Sequence, residues 1–517
     1  MELATIGGGI AAAGLMVSFF RSALKDDDAV REPEHGNVHG GAAIAETLAE
    51  VEAAGLTWKR AGGFFIAAIQ AAKEKCGRVL RFQQETGVLV FGAPGSGKGV
   101  GFIVPTLLDR DRKTPESLLV FDTAAQNINT TGDYLGRIGY RVLYSNLIGA
   151  HGAALRNKFG APVRMNPLGA VDLDDPLAEL VIAETAGVLV PVKAGEKSSY
   201  FSGSAQQLAA GIATWLRESE GRNATWVKVA ELVHASPWDQ NQLYAAMKTS
   251  RFASVRATAA RWWIPIDPET GKPQGAPTEG SRDVLSTVQR ELSFLLTGAI
   301  ADMFSGDFDF ATMKKERTAY FLVLPDSESD ATKKCGYLVL RTAKQTLMTP
   351  GGFHTLMILD EMAAALPPAG AALVKDMAAL VRKYRIRIAG ICQSWAQFQD
   401  WCGDAVKADA LRGMFGAAIY YGANDNTSIQ HIMEEVGKTT IWTPGTNPLN
   451  EAGIEGNSAP MGVPLFHAED IRALISEQKQ IINLIGSRKC CLLPRANYLH
   501  IPELRARASE DIYHKNT

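Results

Sequence analysis

Residues Gly87–Leu108 read GVLVFGAPGSGKGVGFIVPTLL. An apolar strand runs into a glycine-rich loop that ends in lysine, and a helix follows. Gly92, Ala93, Pro94, Gly95, Ser96, Gly97 and Lys98 fit the G-x-x-x-x-G-K phosphate-binding loop. Glycines let the backbone curl so that successive N–H groups face inward, and the helix N-terminus adds positive potential. Lys98 then supplies a point charge to the β- and γ-phosphates of a nucleotide, with Gly99 and Val100 opening the helix beneath them. Gly99 stands where Ser or Thr usually offers a hydroxyl to Mg²⁺. The metal must therefore lean on water, on Ser96 or on a carboxylate elsewhere.

A second stretch supplies that carboxylate. Thr355–Glu361 (TLMILDE) is an apolar run ending in two acids. In a nucleotide-hydrolysing site Asp360 holds the Mg²⁺ shell, partly through water, and Glu361 polarises the attacking water. Arg387–Ser394 (RIAGICQS) is another strand candidate, and it carries Gln393 to the same edge of a parallel sheet. There Gln393 can sense a γ-phosphate or orient water, or it simply caps the next helix. Before it comes the basic cluster Arg382-Lys383-Tyr384-Arg385, where Arg382 is the candidate for an arginine finger supplied to a neighbouring subunit. The bland alternative is a solvated basic face.

At 517 residues the chain can hold several domains, and 46% hydrophobic with 21% charged residues is a globular composition. The formal net charge of −2 gives no global basic field for nucleic acid, so any DNA contact must be local. The six cysteines lack metal-site spacing and read as reduced thiols. Ala4–Phe20 is uncharged and followed by Arg21 and Lys25. It reads as a short membrane anchor, a partner-facing helix or a frayed tail. From Gly87 onward, apolar runs alternate with helical stretches, which predicts an α/β fold with a mainly parallel sheet. Strand signals thin out between Leu177 and Leu296 and helical periodicity takes over, so an all-α insertion is expected to split the nucleotide domain. Five tryptophans (Trp215, Trp226, Trp238, Trp262 and Trp263) fall there; they could stack on bases, but a small helical core in need of large apolar volume is the blander account. The expected division is a hydrophobic segment over 1–30, a linker and helical lead-in over 31–76, the first half of the nucleotide domain over 77–176, the insertion over 177–297 and the second half with the tail over 298–517.

Together these blocks resemble the TraG/TraD-type coupling proteins of conjugation and type IV secretion, ATPases related to FtsK- and RecA-like motors. The resemblance rests on His39-Gly40-Gly41-Ala42 with Ala53-Ala54-Gly55-Leu56, and on the phosphate loop, where glycine after the lysine is common in the family. It rests further on Ser117–Asp122 with Gly139–Val142, on Asn166-Pro167-Leu168, and on the segments around Asp360-Glu361, Gln393-Ser394 and Asn424-Asp425. Asp122-Thr123-Ala124-Ala125-Gln126 departs from the family's DPKGE, and a single short apolar segment stands where the family carries two membrane spans.

The resemblance implies a RecA-like fold and a ring, a hexamer when active, with ATP and Mg²⁺ bound between subunits. It also implies DNA in the ring channel, a relaxase–DNA complex or effector protein as cargo for the type IV secretion components, and a place on the cytoplasmic side of a bacterial inner membrane. Lys314-Lys315 and Lys333-Lys334 are candidate channel cations, and surface solubility explains those pairs equally well. Two other functions fit the same residues: an FtsK/HerA-like DNA-translocating motor, and a nucleotide-binding docking platform with little hydrolysis.

Overall fold

The computed structural model describes residues 40–45, 47–58, 61–69, 78–123, 125–147, 152–192, 199–270, 273–275, 278–325, 329–443 and 459–510. The N-terminal apolar segment 4–20, His35, His39, Cys76 and Ala124 lie outside them. In chain order the strands are β1 (Ala43–Ile44), β2 (Leu56–Thr57), β3 (Phe64–Ile69), β4 (Arg78–Phe82), β5 (Gly87–Phe91), β6 (Glu116–Thr123), β7 (Arg141–Asn146) and β8 (Thr318–Leu324). They continue with β9 (His354–Leu359), β10 (Ile386–Cys392), β11 (Phe415–Tyr420), β12 (Lys438–Thr443), β13 (Ala459–Pro464), β14 (Lys479–Leu484) and β15 (Lys489–Pro494).

Ten of these strands form one sheet in the order β1-β15-β14-β11-β5-β10-β9-β6-β8-β7. From β11 to β7 every neighbouring pair is parallel, while β14 runs antiparallel to both β11 and β15. The phosphate-loop strand β5 is buried at every position, as a central strand covered on both faces must be. Its alternate residues serve two cores. Leu89 and Phe91 join the larger helical side with Trp226, Phe304 and Tyr337. Val88 and Val90 join the other face with Phe64, Phe102 and Ile128.

Between β7 and β8 every regular element among the described residues is a helix, apart from one isolated bridge, Ile266 with Pro273. The helix starts are written in the sequence. Thr225, Ser236 and Thr278 each accept a backbone N–H from three residues on, and Pro237 follows Ser236 at the first helical position. Trp226 is fully buried, and Trp215, Trp262 and Trp263 pack against the same core, whereas Trp238 is exposed. Asn166 ties this segment to the sheet domain. Its amide donates to the carbonyls of Arg222 (2.9 Å) and Ala224 (2.8 Å) and accepts from Gly169 N–H.

The region before β5 differs from the helical lead-in expected of it. Among the described residues only Leu48–Ala53 is helical there, and β2, β3 and β4 form a separate antiparallel sheet in the order β2-β4-β3. The run Phe64–Ile69 (FFIAAI) is aromatic and branched, and it finds a partner in Arg78–Phe82, so a strand wins over a short helix. Two of the proposed channel cations are also corrected. Lys314 and Lys334 are buried. Lys314 donates to the Tyr384 carbonyl, and burial together with Arg385 pushes its pKa down to about 8. Lys334 is paired with Glu291 and Asp330 at 2.9 Å each. Buried, partnered ammonium groups hold helices together and cannot line a channel.

Candidate functional site

The parallel strands bring their C-terminal ends to one edge, and the residues singled out from sequence meet there. The loop Gly92–Lys98 leaves β5, Gln393 follows β10, Asp360 and Glu361 follow β9, and Thr123 ends β6. β10 lies between β5 and β9. At about 4.8 Å per strand, the loop and the acidic pair are two spacings apart, with Gln393 between them.

The loop geometry follows its glycines. Gly95 and Gly97 have φ of 73° and 88°, where a side chain would be strained. Lys98 is buried, and its Nζ donates to the carbonyl of Gly92 at 2.5 Å and lies 3.6 Å from Glu361 Oε1. The first helical turn is widened into a π-turn over Gly99–Ile103, closed by Val104 N–H to Gly99 O. Gly101 is forced to be glycine. A Cβ there would lie 2.7 Å from the Ala496 carbonyl oxygen and 3.0 Å from Tyr421 Oη. Gly99 is not so constrained, since a Cβ there meets nothing within 4 Å. Gly99→Ser is therefore expected to leave the melting temperature unchanged and to equal or improve Mg²⁺ affinity in isothermal titration with nucleotide. Gly101→Ala is expected to lower the melting temperature. Equal losses for both would contradict this reading of the turn.

The acidic side is set for charge partners. Glu361 takes a left-handed conformation (φ 47°, ψ 50°), unusual outside glycine and a form of strain found at functional sites. Its Oε2 is buried without a hydrogen-bond partner, and so is Ser96 Oγ on the opposing loop. Asp360 accepts from Thr123 Oγ1 at 3.3 Å. Burial pushes the Asp360 carboxyl up to about 7, Glu361 adds to the rise and Lys98 opposes it. The unpartnered Ser96 hydroxyl and the Asp360 carboxylate, short of counter-charge, suit a divalent cation sharing the space with phosphate oxygens. Asp122 plays a different part. Both its oxygens accept backbone N–H bonds, from Asn127 (2.9 Å) and Ile128 (2.8 Å), so it anchors the first turn of the helix Gln126–Arg137.

A raised carboxyl pKa means that the folded state holds a proton the unfolded chain has lost. Stability attributable to Asp360 therefore falls as pH rises from about 4 through about 7, and the cost persists above that. Asp360→Asn is expected to flatten this part of the Tm–pH curve and to raise Tm at pH 8 on the order of a degree or two. The same substitution is expected to weaken Mg²⁺-nucleotide binding. A variant curve parallel to the wild-type one would show that Asp360 is not the buried acid at issue.

Gln393 faces a small cavity lined by Phe91, Trp395, Tyr420 and Ser428. The capping alternative goes to its neighbour. Ser394 accepts Gln397 N–H at 3.1 Å, while Gln393 N–H is held by Gln397 Oε1 at 3.0 Å. Arg382 is elsewhere. It ends the helix that enters β10, at the opposite edge of the sheet, with its side chain 84% exposed and paired with Glu85 at 2.8 Å. It cannot reach this chain's own loop.

Sequence spacing gave no sign of Arg495. Its guanidinium donates to the carbonyl of Ser96 in the phosphate loop and to those of Leu474 and Ile475, and it lies 5.4 Å from the Tyr421 ring centre. It ties the loop to the C-terminal end of the helix Ala468–Ser476. No local motif announces a contact across 399 residues.

The profile of the type IV secretory system conjugative DNA transfer family matches residues 46–516. Among solved structures, the bacterial conjugative coupling protein TrwBdeltaN70 in its unbound monoclinic form superposes with a TM-score of 0.64. It is 14% identical, over 90% of this chain and 95% of that one. The plasmid coupling protein TrwB in complex with the non-hydrolysable ATP analogue ADPNP gives 0.62 at 14% identity, over 90% and 96% of the two chains. TrwB in complex with ADP and Mg²⁺ gives 0.55 at 14% identity, over 80% of this chain and 85% of that one. At this identity the likeness carries the fold alone, a mainly parallel α/β sheet flanked by helices. No curated protein sequence matches this chain. Among the described residues no helix is long and apolar enough to cross a membrane.

Proposed function

The chain belongs to the type IV secretory system conjugative DNA transfer family, and on that premise we propose that it is an ATP-hydrolysing coupling protein. It recruits a relaxase–DNA complex or protein cargo and feeds it to the secretion machine. One observation carries the hydrolytic part: Lys98, Asp360 and Glu361 converge at the phosphate-loop edge, with Ser96 Oγ and Glu361 Oε2 buried and unsatisfied.

In this reading the residues from Gly92 to Val100 cradle the phosphates through backbone N–H groups, and Lys98 exchanges its carbonyl partners for the β- and γ-phosphates. Asp360, oriented by Thr123, is the residue that would hold Mg²⁺, partly through water, since Gly99 offers no hydroxyl. The metal would neutralise charge on the phosphates. Glu361 accepts a proton from the attacking water, and Gln393 orients it. Arg382 acts on the neighbouring subunit's nucleotide, which requires a ring, taken to be a hexamer. The helical segment 177–297 meets cargo, and the N-terminal segment anchors the ring at the cytoplasmic side of the inner membrane.

The test is ATP hydrolysis by the full chain with and without single- and double-stranded DNA, with Lys98→Ala as background. DNA-stimulated turnover that depends on Lys98 supports the proposal with nucleoprotein as cargo. Lysine-dependent turnover indifferent to DNA shifts it to protein cargo. ATP binding and ring assembly without turnover leaves only a docking platform.

A further inference from the structure

The edge of the sheet opposite the phosphate loop carries a charge pattern of its own. Arg317, just before β8, is its centre. The guanidinium donates to the carbonyls of Asp111 (2.7 Å), Arg112 (2.9 Å) and Ile138 (3.1 Å) and stacks 4.3 Å from the Tyr140 ring centre. It thereby staples together the turns that enter β6, β7 and β8, three adjacent strands in the order β6-β8-β7.

These turns present exposed Arg112, Lys113 and Lys315, none of which forms an ion pair with a carboxylate among the described residues. Arg141 is exposed beside them, and so is Arg137, which donates to the Arg507 carbonyl at 3.4 Å. Arg507 in turn donates to Leu108 O at 2.9 Å, which binds the C-terminal tail onto the same face.

The acids nearby are already engaged. Asp111 accepts from Lys113 N–H and from Thr114 Oγ1, Glu316 pairs with Arg141 at 3.3 Å, and Asp133 pairs with Lys158 at 2.6 Å. The phosphate-loop edge has the reverse balance, with Asp122, Asp360 and Glu361 at its strand ends and its cations Lys98 and Arg495 turned onto backbone carbonyls. A chain of net charge −2 thus concentrates free positive charge on one face.

We propose that this face, built by the turns entering β6, β7 and β8 around Arg317, docks the phosphate backbone of nucleic acid. The proposal rests on the reading of DNA as cargo. Three strands at about 4.8 Å spacing span about 10 Å. That length matches about three phosphate-to-phosphate steps along one duplex strand, at about 3.4 Å of axial rise each. The contact is to backbone, and so independent of base sequence. An acidic membrane fits less well. Surface binding to lipid calls for apolar side chains to insert beside the cations, and no large apolar side chain is exposed in these turns among the described residues.

The experiment is fluorescence anisotropy of the full chain with labelled single-stranded and duplex oligonucleotides, between about 50 and 200 mM salt. The variant Arg112→Ala/Lys113→Ala/Lys315→Ala is expected to lose at least about tenfold in affinity at the lowest salt. Its plot of log K against log salt should flatten by about 2 to 3, at about 0.7 to 0.9 for each phosphate contact removed. Lys113→Glu alone should weaken binding more than Lys113→Ala does at equal melting temperature, which separates charge from folding. Unchanged affinity and slope in the triple variant would overturn the docking face while leaving DNA cargo intact. So would loss of binding to acidic vesicles with DNA binding retained. A wild-type chain that binds neither oligonucleotide would remove the DNA reading itself, and this face with it.

Discussion

Arg382→Ala is expected to reduce ATP turnover by about 10³- to 10⁵-fold while leaving nucleotide affinity unchanged, the scale on which an arginine finger acts. The geometry excludes a role in its own subunit. Arg382 closes the helix Ala369–Tyr384 at the edge of the sheet remote from Gly92–Lys98. A structural role is also weak, because its one ion pair, with Glu85, joins side chains 84% and 54% exposed. Such a pair contributes little to stability. An exposed arginine with so little to hold in place gains a large effect only by meeting charge that develops on another subunit. The decisive form of the measurement is mixing. Rings assembled from Arg382→Ala and Lys98→Ala chains contain some interfaces with both residues intact, so two inactive preparations should recover part of the wild-type rate. Wild-type turnover in Arg382→Ala, or no recovery on mixing, would return Arg382 to the solvated surface.

What could be read from the sequence was chemistry written in contiguous residues. The phosphate loop needs its glycines and lysine at fixed spacing, and an apolar run ending in Asp360-Glu361 needs only a strand beneath it, so both were legible without a structure. The strands from β5 to β11 were legible for a related reason, since buried parallel strands are uninterrupted apolar runs. What stayed hidden depends on distant partners. Phe64–Ile69 becomes a strand because Arg78–Phe82 pairs with it. Lys314 and Lys334 look like surface charges until helices close over them. Arg495 is one arginine among many until the fold brings it beneath Ser96. The substituted sequence Asp122-Thr123-Ala124-Ala125-Gln126 shows the same limit. Its loss of lysine and glutamate is plain in the sequence, but the retained Asp122 works as a helix cap, and only its two backbone partners reveal that.

Glu361→Gln is expected to lower kcat by about 10²- to 10⁴-fold, the range for removing a general base, with ATP binding retained. Glutamine keeps the volume and one acceptor oxygen of the side chain but cannot take a proton from water. The contrast with Asp360→Asn is the informative part. Asp360 is the proposed metal holder, so its loss should weaken Mg²⁺-nucleotide binding. Glu361 contributes no metal contact in this scheme, so its loss should trap a bound, unhydrolysed nucleotide. The left-handed backbone at Glu361 sharpens the comparison. Both residues at that position carry the same strain, so a difference between Glu and Gln reports the carboxylate rather than the turn. The buried, unpartnered Oε2 lies on the side chain that contacts Lys98 through Oε1, which places the acceptor beside the group assigned to the γ-phosphate. Single-turnover hydrolysis paired with equilibrium binding of a non-hydrolysable ATP analogue reads both quantities. A Glu361→Gln chain that turns over at the wild-type rate would move the base elsewhere. One that loses binding in proportion to rate would make Glu361 part of the metal site and not the base.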